Sequence, residues 1–159
     1  MRRLRDSRFT FTSGSASETR RIAEAIGRRI DRGVCISMTG ALGAGKTVFV
    51  DGLCRGLDIG EDVISPTFVL YEEFEGRLRV CHVDLYRLEH EREIEELGLF
   101  DLIGTGRVIV VEWGDRSGTI LDESDVVIRL HTTGPYSRTI DISCRPEFER
   151  WFERMEHME

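Results

Sequence analysis

The sequence predicts an α/β fold with three layers, in which a mixed central sheet lies between helices. Segments with strand character alternate with segments of helical periodicity along the 159 residues. Glycine-containing turns around residues 75–77 and 133–136 each join two strand segments, which predicts hairpins and a sheet that is not purely parallel. This length suits one domain. We therefore expect a single domain over residues 1–159, with peripheral segments at 1–14 and 146–159.

The first elements alternate between strand and helix. Weak alternation at residues 8–12 predicts a short edge strand, and residues 15–18 form a capping-box pattern that opens a helix. Gly33 ends that helix, and the apolar run at 34–39 predicts a buried strand. A glycine-rich turn leads from this strand into a second helix, predicted at 46–57.

The remaining elements follow the same rules. Apolar and β-branched runs predict strands at residues 67–74, 78–84, 107–113, 126–131 and 138–144. An acidic helix is predicted at 91–97. Pro146 opens a final helix with an aromatic and apolar face, made by Phe148, Trp151, Phe152 and Met155.

Composition and charge exclude several classes of protein. The longest apolar runs have four residues, whereas a membrane span needs about 20, and no secretory signal begins the chain. We therefore expect a cytoplasmic protein that does not enter a membrane. The net charge of −7 makes the chain a poor binder of DNA or RNA by itself. The cysteines lack paired spacings, which predicts buried reduced thiols at Cys35, Cys54, Cys81 and Cys144.

Residues 40–47 carry the strongest motif, because they match G-x-x-x-x-G-K-[ST], the phosphate-binding loop, in full. A predicted strand precedes this P-loop and a helix follows it, which is the required context. Lys46, the single lysine of the chain, is expected to reach the β- and γ-phosphates, and the Thr47 hydroxyl to bind Mg²⁺. The predicted cofactors are ATP and Mg²⁺. The expected nucleotide contacts are Gly40, Leu42, Gly43, Ala44, Gly45, Lys46, Thr47 and Val48.

The absence of asparagine and glutamine from the sequence limits which residues can orient a water molecule or recognise a base. Without glutamine, another group must orient an attacking water. Without asparagine, the Asn-Lys-x-Asp motif that recognises guanine cannot exist. Adenine is therefore the expected base.

Two carboxylates end predicted strands, where P-loop proteins place a residue for Mg²⁺ and water. Asp84 ends one strand and Glu112 another, and we expect both to face the site. His82 shares a strand face with Asp84, and we favour a packed core histidine over a metal ligand there. Trp113 either stacks near the nucleotide or closes the core, and both interpretations stay open.

Thr67 lies 20 residues after Thr47, between the helix of the P-loop and the next strand. Many P-loop hydrolases place a threonine there that senses the γ-phosphate and Mg²⁺. The alternative is a rigid turn made by Pro66 at the start of a strand. The residues by themselves do not decide between the two.

Together these segments resemble the TsaE family of ATPases, which act in tRNA threonylcarbamoyladenosine biosynthesis. The resemblance rests on residues 40–47, 65–70, 82–88 and 112–113 in this order, and it extends over about residues 15–145. It implies a bacterial cytosolic ATPase that assists TsaB and TsaD. Their product is N6-threonylcarbamoyladenosine at position 37 of tRNAs reading codons that begin with A, so contact with tRNA would be indirect.

The resemblance also implies roles for individual residues. Thr47 and Glu112 would bind Mg²⁺, Asp84 would support hydrolysis, and Thr67 would belong to a switch loop. Arg138 matches an arginine that this family places in its last hairpin, near the nucleotide. Residues near both ends of the chain fit the family pattern poorly.

Two other functions remain as alternatives. A small-molecule kinase needs an acceptor pocket and an arginine-rich lid, whereas residues 85–100 are acidic with the scattered arginines Arg87 and Arg92. A binding module could instead hold ATP as a structural switch without significant turnover. A turnover assay with and without a partner separates such a module from an ATPase.

Overall fold

One seven-stranded sheet organises the part of the chain that the structure, a computed structural model, describes, namely residues 5–63 and 71–155. Thr67 lies outside these described residues. The strands are β1 Ser7–Ser13, β2 Val34–Thr39, β3 Tyr71–Glu75, β4 Arg79–Asp84, β5 Val108–Glu112, β6 Val126–Thr132 and β7 Arg138–Cys144.

Short helices complete the layers. They are α1 Ala16–Arg29, α2 Lys46–Gly56, α3 Glu91–Glu96, α4 Leu99–Leu102 and α5 Gly118–Glu123. Ser15 caps α1 as its pattern predicts, because its Oγ accepts a hydrogen bond from the N–H of Glu18. The reciprocal bond reaches one residue further back, from the N–H of Gly14 to the Glu18 carboxylate. Helices α4 and α5 were not predicted, because both are too short for a clear helical period and neither has the glutamate-rich composition of α3.

The order of strands across the sheet is β1-β7-β6-β2-β5-β4-β3. Strands β6, β2, β5 and β4 run parallel, so their carboxyl ends lie at one edge of the sheet. The hairpins β3–β4 and β6–β7 add antiparallel strands, and β1 pairs with β7 at the outer edge. The predicted mixed sheet with two hairpins is therefore confirmed.

Two hydrophobic cores lie on opposite faces of the sheet. Along β5, Val108 and Val110 point into the larger core, while Ile109 and Val111 point into the smaller one. The larger core contains residues of α1 and α2, and the smaller core contains residues of α3, α4 and α5. This alternation explains why residues 108–111 of β5 are all apolar, and it produces the predicted three layers.

Helices α1 and α2 pack in close contact because glycines line their interface. A Cβ atom at Gly27 would lie 2.3 Å from the carbonyl oxygen of Leu53, and one at Gly56 would lie 2.3 Å from that of Glu24. Any side chain at either position would push the helices apart. The close packing holds α2, which begins at Lys46, against the rest of the fold.

The guanidinium of Arg77, in the β3–β4 turn, binds carbonyl oxygens near the ends of both helices. It donates to Ile30 (3.0 Å), Gly27 (2.9 Å) and Gly56 (3.1 Å). Because bonds from a charged donor are the stronger ones, we expect Arg77→Ala to cost about 2 kcal/mol of unfolding free energy. Thermal melting would then fall by about 4–8 °C. Arg79→Ala, an exposed arginine of the same hairpin, is the control that leaves the melting temperature nearly unchanged, and equal melting of both variants would contradict the expectation.

The last segment differs from the predicted helix. Pro146–Trp151 is a 3₁₀ helix. In that geometry residues three apart eclipse, which places Phe148 and Trp151 on one face with ring centroids 4.9 Å apart. Both rings, with Phe152 and Met155, are buried in the larger core. Packing of this apolar face therefore sets the conformation of the segment.

Two further observations concern the described residues. The cysteines Cys35, Cys54, Cys81 and Cys144 are all buried and free, as predicted. Within residues 5–63 and 71–155, none of the helices has the length and apolar character needed to cross a bilayer.

Candidate functional site

The P-loop joins the end of β2 to the start of α2, at the edge where the parallel strands end. Gly40, Gly43 and Gly45 have φ angles of +146°, +80° and +98°, which residues other than glycine rarely adopt. Gly45 is the N-cap of α2 and no side chain caps the helix. A helix start of this kind binds anions through its N–H groups and its dipole.

Lys46 lies across this loop. Its Nζ donates to the carbonyl oxygens of Gly40 (2.5 Å) and Ala41 (2.9 Å), and it stands 4.0 Å from the centre of the Trp113 ring. The side chain is buried. The ammonium is thus held inside the loop by backbone carbonyls and an aromatic face, where a phosphate group can replace the carbonyls.

Burial lowers the pKa of Lys46 below its ordinary value, because the charged form loses solvation. The carboxylates of Glu112, Asp115 and Asp84 act in the opposite direction and favour the ammonium. These opposing effects show that the lysine and the strand-end carboxylates share one electrostatic environment.

Glu112 contacts two polar side chains at once. Thr47 Oγ1 donates to its Oε1 at 3.0 Å, and His82 Nε2 lies 2.5 Å from its Oε2. Glu112 is 3% exposed and His82 is completely buried. Thr47, in the first turn of α2, and Glu112, at the end of β5, are 65 positions apart in the sequence. They meet beneath the P-loop.

Asp84 lies beside this pair, because its Cα is the register partner of Glu112 across β4 and β5. Its Oδ1 accepts a hydrogen bond from the N–H of Tyr86 at 2.9 Å, which orients the carboxylate at the strand end. A hydroxyl and two carboxylates are the hard oxygen ligands that Mg²⁺ prefers. The donor set of Thr47, Glu112 and Asp84 therefore fits Mg²⁺ next to a bound phosphate.

Trp113 has a left-handed backbone conformation, with φ of +60°, which is uncommon for a bulky residue. It turns the chain at the end of β5 and places the indole against Lys46 on one side of the site. Tyr86 packs against it with ring centroids 5.0 Å apart. The guanidinium of Arg116 lies 5.2 Å from the Tyr86 ring and 5.5 Å from the Trp113 ring. Arg116 is not among the predicted site residues. In the sequence, only its position four residues after Glu112 indicates that it lies near the site.

Arg138, at the start of β7, reaches the P-loop from the β6–β7 hairpin. Its Nε donates to the carbonyl oxygen of Ala44 at 3.0 Å and its Nη2 to that of Gly43 at 3.2 Å. Leu42, at the tip of the loop, is 77% exposed. Arg138 therefore contacts the backbone of the P-loop directly, and its position near a bound nucleotide stays a prediction.

A small cavity of about 180 Å³ opens between the P-loop and this hairpin. Its wall is largely apolar, and the Tyr136 ring beside it is 77% exposed. The lining residues include Gly45, Val48, Pro135, Tyr136 and Arg138. The lining thus includes the predicted nucleotide contacts Val48 and Arg138, and also Pro135 and Tyr136, whose sequence pattern predicts only a turn.

Among α/β folds, a glycine-rich loop between a parallel strand and a helix, with its threonine bonded to the carboxylate of the neighbouring strand, is the arrangement of P-loop nucleotide-binding proteins. The fold and the site place this protein in that class. Residues 13–140 match the model of one family, the threonylcarbamoyl adenosine biosynthesis protein TsaE. The chain belongs to the TsaE family.

Individual relatives agree with this assignment. The tRNA threonylcarbamoyladenosine biosynthesis protein TsaE of Treponema pallidum is 40% identical over 132 residues, which cover 82% of this chain and 97% of that protein. The Bacillus subtilis protein of the same name is 36% identical over 128 residues, 80% of each chain. The crystal structure of Bacillus subtilis YdiB superposes with a TM-score of 0.77 at 25% identity and covers 96% of both chains.

Proposed function

We propose that this protein is an ATP-hydrolysing accessory subunit of tRNA modification, acting in the cytoplasm. It would assist TsaB and TsaD in forming N6-threonylcarbamoyladenosine at position 37 of tRNAs reading codons that begin with A. Membership of the TsaE family supports the pathway. The bond from Thr47 to Glu112 beneath the P-loop is the observation that supports ATP hydrolysis.

Binding of ATP would begin with the phosphates at the P-loop. The N–H groups of the loop and of the first turn of α2 would hold the phosphates, and Lys46 would exchange its bonds to two loop carbonyls for bonds to phosphate oxygens. Arg138 steadies the loop through its bonds to Ala44 and Gly43. The cavity beside Tyr136 has an apolar wall that suits a base.

Thr47 and Glu112 would hold Mg²⁺, with Asp84 beside them. A bound Mg²⁺ neutralises the charge that develops on the phosphate oxygens. Both carboxylate oxygens of Glu112 have hydrogen-bond partners, so its side chain has little conformational freedom. Asp84 is less buried than Glu112 and stands at the open end of β4, where its carboxylate can orient the attacking water.

The chain lacks a glutamine that would orient the water by itself. Two arginines near the site already have partners, since Arg138 binds loop carbonyls and Arg116 lies over two aromatic rings. Thr67, in the segment between α2 and β3, would complete the site as a switch residue. We therefore propose that turnover is slow in the isolated protein and that a protein partner accelerates it.

The test is phosphate release from ATP, measured with the protein alone, with the purified TsaB–TsaD complex, and with tRNA alone. We expect an increase of at least tenfold with the complex and little change with tRNA, because the chain has a net charge of −7. An arginine supplied from outside contributes about 10³–10⁵ in other P-loop enzymes, so larger increases would also agree. A preparation carrying Lys46→Ala measures contaminating ATPase activity.

The other outcomes of this experiment separate the alternatives. Full activity in the isolated protein would contradict the role of accessory subunit and favour a self-sufficient enzyme. Transfer of phosphate to a small acceptor, without release of free phosphate, would indicate a kinase. Tight binding of ATP without turnover under any of these conditions would indicate a binding module.

A further inference from the structure

His82 is a buried polar side chain that the proposed reaction does not use directly. It lies on β4 between Cys81 and Val83, and all three residues are inaccessible to solvent. Its Nε2 lies 2.5 Å from Glu112 Oε2. The ring therefore touches the carboxylate that is proposed to hold Mg²⁺.

The other ring nitrogen points to a specific reason for a histidine at this position. Nδ1 is buried and has no hydrogen-bond partner among the described residues. A buried polar atom without a partner is unfavourable, and such groups are rare in native proteins. A side chain that served packing alone would be apolar, like Val80 and Val83 on the same strand. The contact of Nε2 with Glu112 is the interaction that offsets the unpartnered Nδ1.

The carboxylate of Glu112 lies between two neighbours. Oε2 lies against His82, and Thr47 Oγ1 is closer to Oε1 (3.0 Å) than to Oε2 (3.4 Å). Complete burial of the His82 side chain restricts rotation of the ring. By holding Oε2, His82 orients the carboxylate so that Oε1 is the oxygen nearer to Thr47.

From this arrangement we propose that His82 is a positioning residue that sets the affinity of the nucleotide site for Mg²⁺ by orienting Glu112. The inference rests on the proposed Mg²⁺–nucleotide function of the same site. Residues that hold a metal-binding side chain by hydrogen bonds alter metal affinity by about 10- to 100-fold when they are replaced. The effect on Mg²⁺ is thus measurable without any measurement of turnover.

The experiment compares two amides of different length. A glutamine places its amide nitrogen near the position of the histidine Nε2, whereas an asparagine is one methylene shorter and does not reach Glu112. Calorimetry measures the affinity for ATPγS, a slowly hydrolysed analogue, with Mg²⁺ and with EDTA, and the ratio is the gain from Mg²⁺. We expect His82→Asn to lower this gain at least tenfold and His82→Gln to stay within about threefold of the wild type.

Val80→Ala is the control, because it removes packing from the same face of β4 two residues away without touching Glu112. We expect it to lower the melting temperature and to leave the gain from Mg²⁺ unchanged. Equal gains for wild type, His82→Gln and His82→Asn would overturn the role of His82. A wild type without any gain from Mg²⁺ would instead overturn the proposed Mg²⁺ site, so the two failures are distinguishable. A His82→Asn variant that does not fold is replaced by His82→Leu, which must show the same loss.

Discussion

Replacing Glu112 by alanine is expected to lower partner-stimulated ATP hydrolysis by about 10²-fold or more while ATP still binds measurably. The carboxylate is placed to hold Mg²⁺ or its waters, whereas the P-loop backbone that surrounds the phosphates remains intact. Asp84→Ala is expected to act in the same direction, because Asp84 lies next to Glu112 in the sheet. Binding by calorimetry and hydrolysis by phosphate release, measured on the same preparations, separate the two steps.

Glu75→Ala provides a matched control for this pair. Glu75 is an exposed carboxylate at the hairpin end of the sheet, opposite to the end that carries Asp84, so its loss leaves hydrolysis unchanged. Full activity in one of the two site variants would make that strand end structural only. Full activity in both would mean that hydrolysis occurs at a site elsewhere.

Lys46→Ala is expected to weaken ATP binding by about 10²-fold or more, which corresponds to about 2.8 kcal/mol. Burial removes solvent from the ammonium and so lowers the pKa of Lys46. Its present partners are two backbone carbonyls, which phosphate oxygens would replace. Lys46→Arg is expected to bind poorly as well, since a planar guanidinium does not fit the place of a compact ammonium.

Calorimetric titration with ATP and GTP measures this loss, and thermal melting shows that the variants remain folded. A Lys46→Ala variant that binds ATP like the wild type would remove Lys46 from its role. The wild-type titrations also test the base, because the sequence lacks the asparagine of the guanine-recognition motif. A tenfold preference for GTP over ATP would contradict the adenine nucleotide proposed here.

Several elements could be predicted because their signals are local. The alternation of strands and helices, the capping of α1 by Ser15 and the two hairpins depend on residues close together in the sequence. The P-loop is the strongest case, since Gly43 and Gly45 supply the positive φ angles that the loop requires. Helices α4 and α5 escaped prediction because each has fewer than two turns and lacks the run of glutamates that marks the equally short α3.

The P-loop, the strand ends that carry Asp84 and Glu112, and the resemblance to the TsaE family could all be recognised from the sequence, and the family model confirms the family. Each of these features depends on residue types at short spacings, which determine the local backbone conformation. Which strand ends are neighbours is known only from the fold, because strand order and register arise from long-range pairing that local periodicity does not encode. That pairing places the carboxylate of Glu112 between the Thr47 hydroxyl and the His82 ring. It also brings Arg138 onto the P-loop from the far end of the chain.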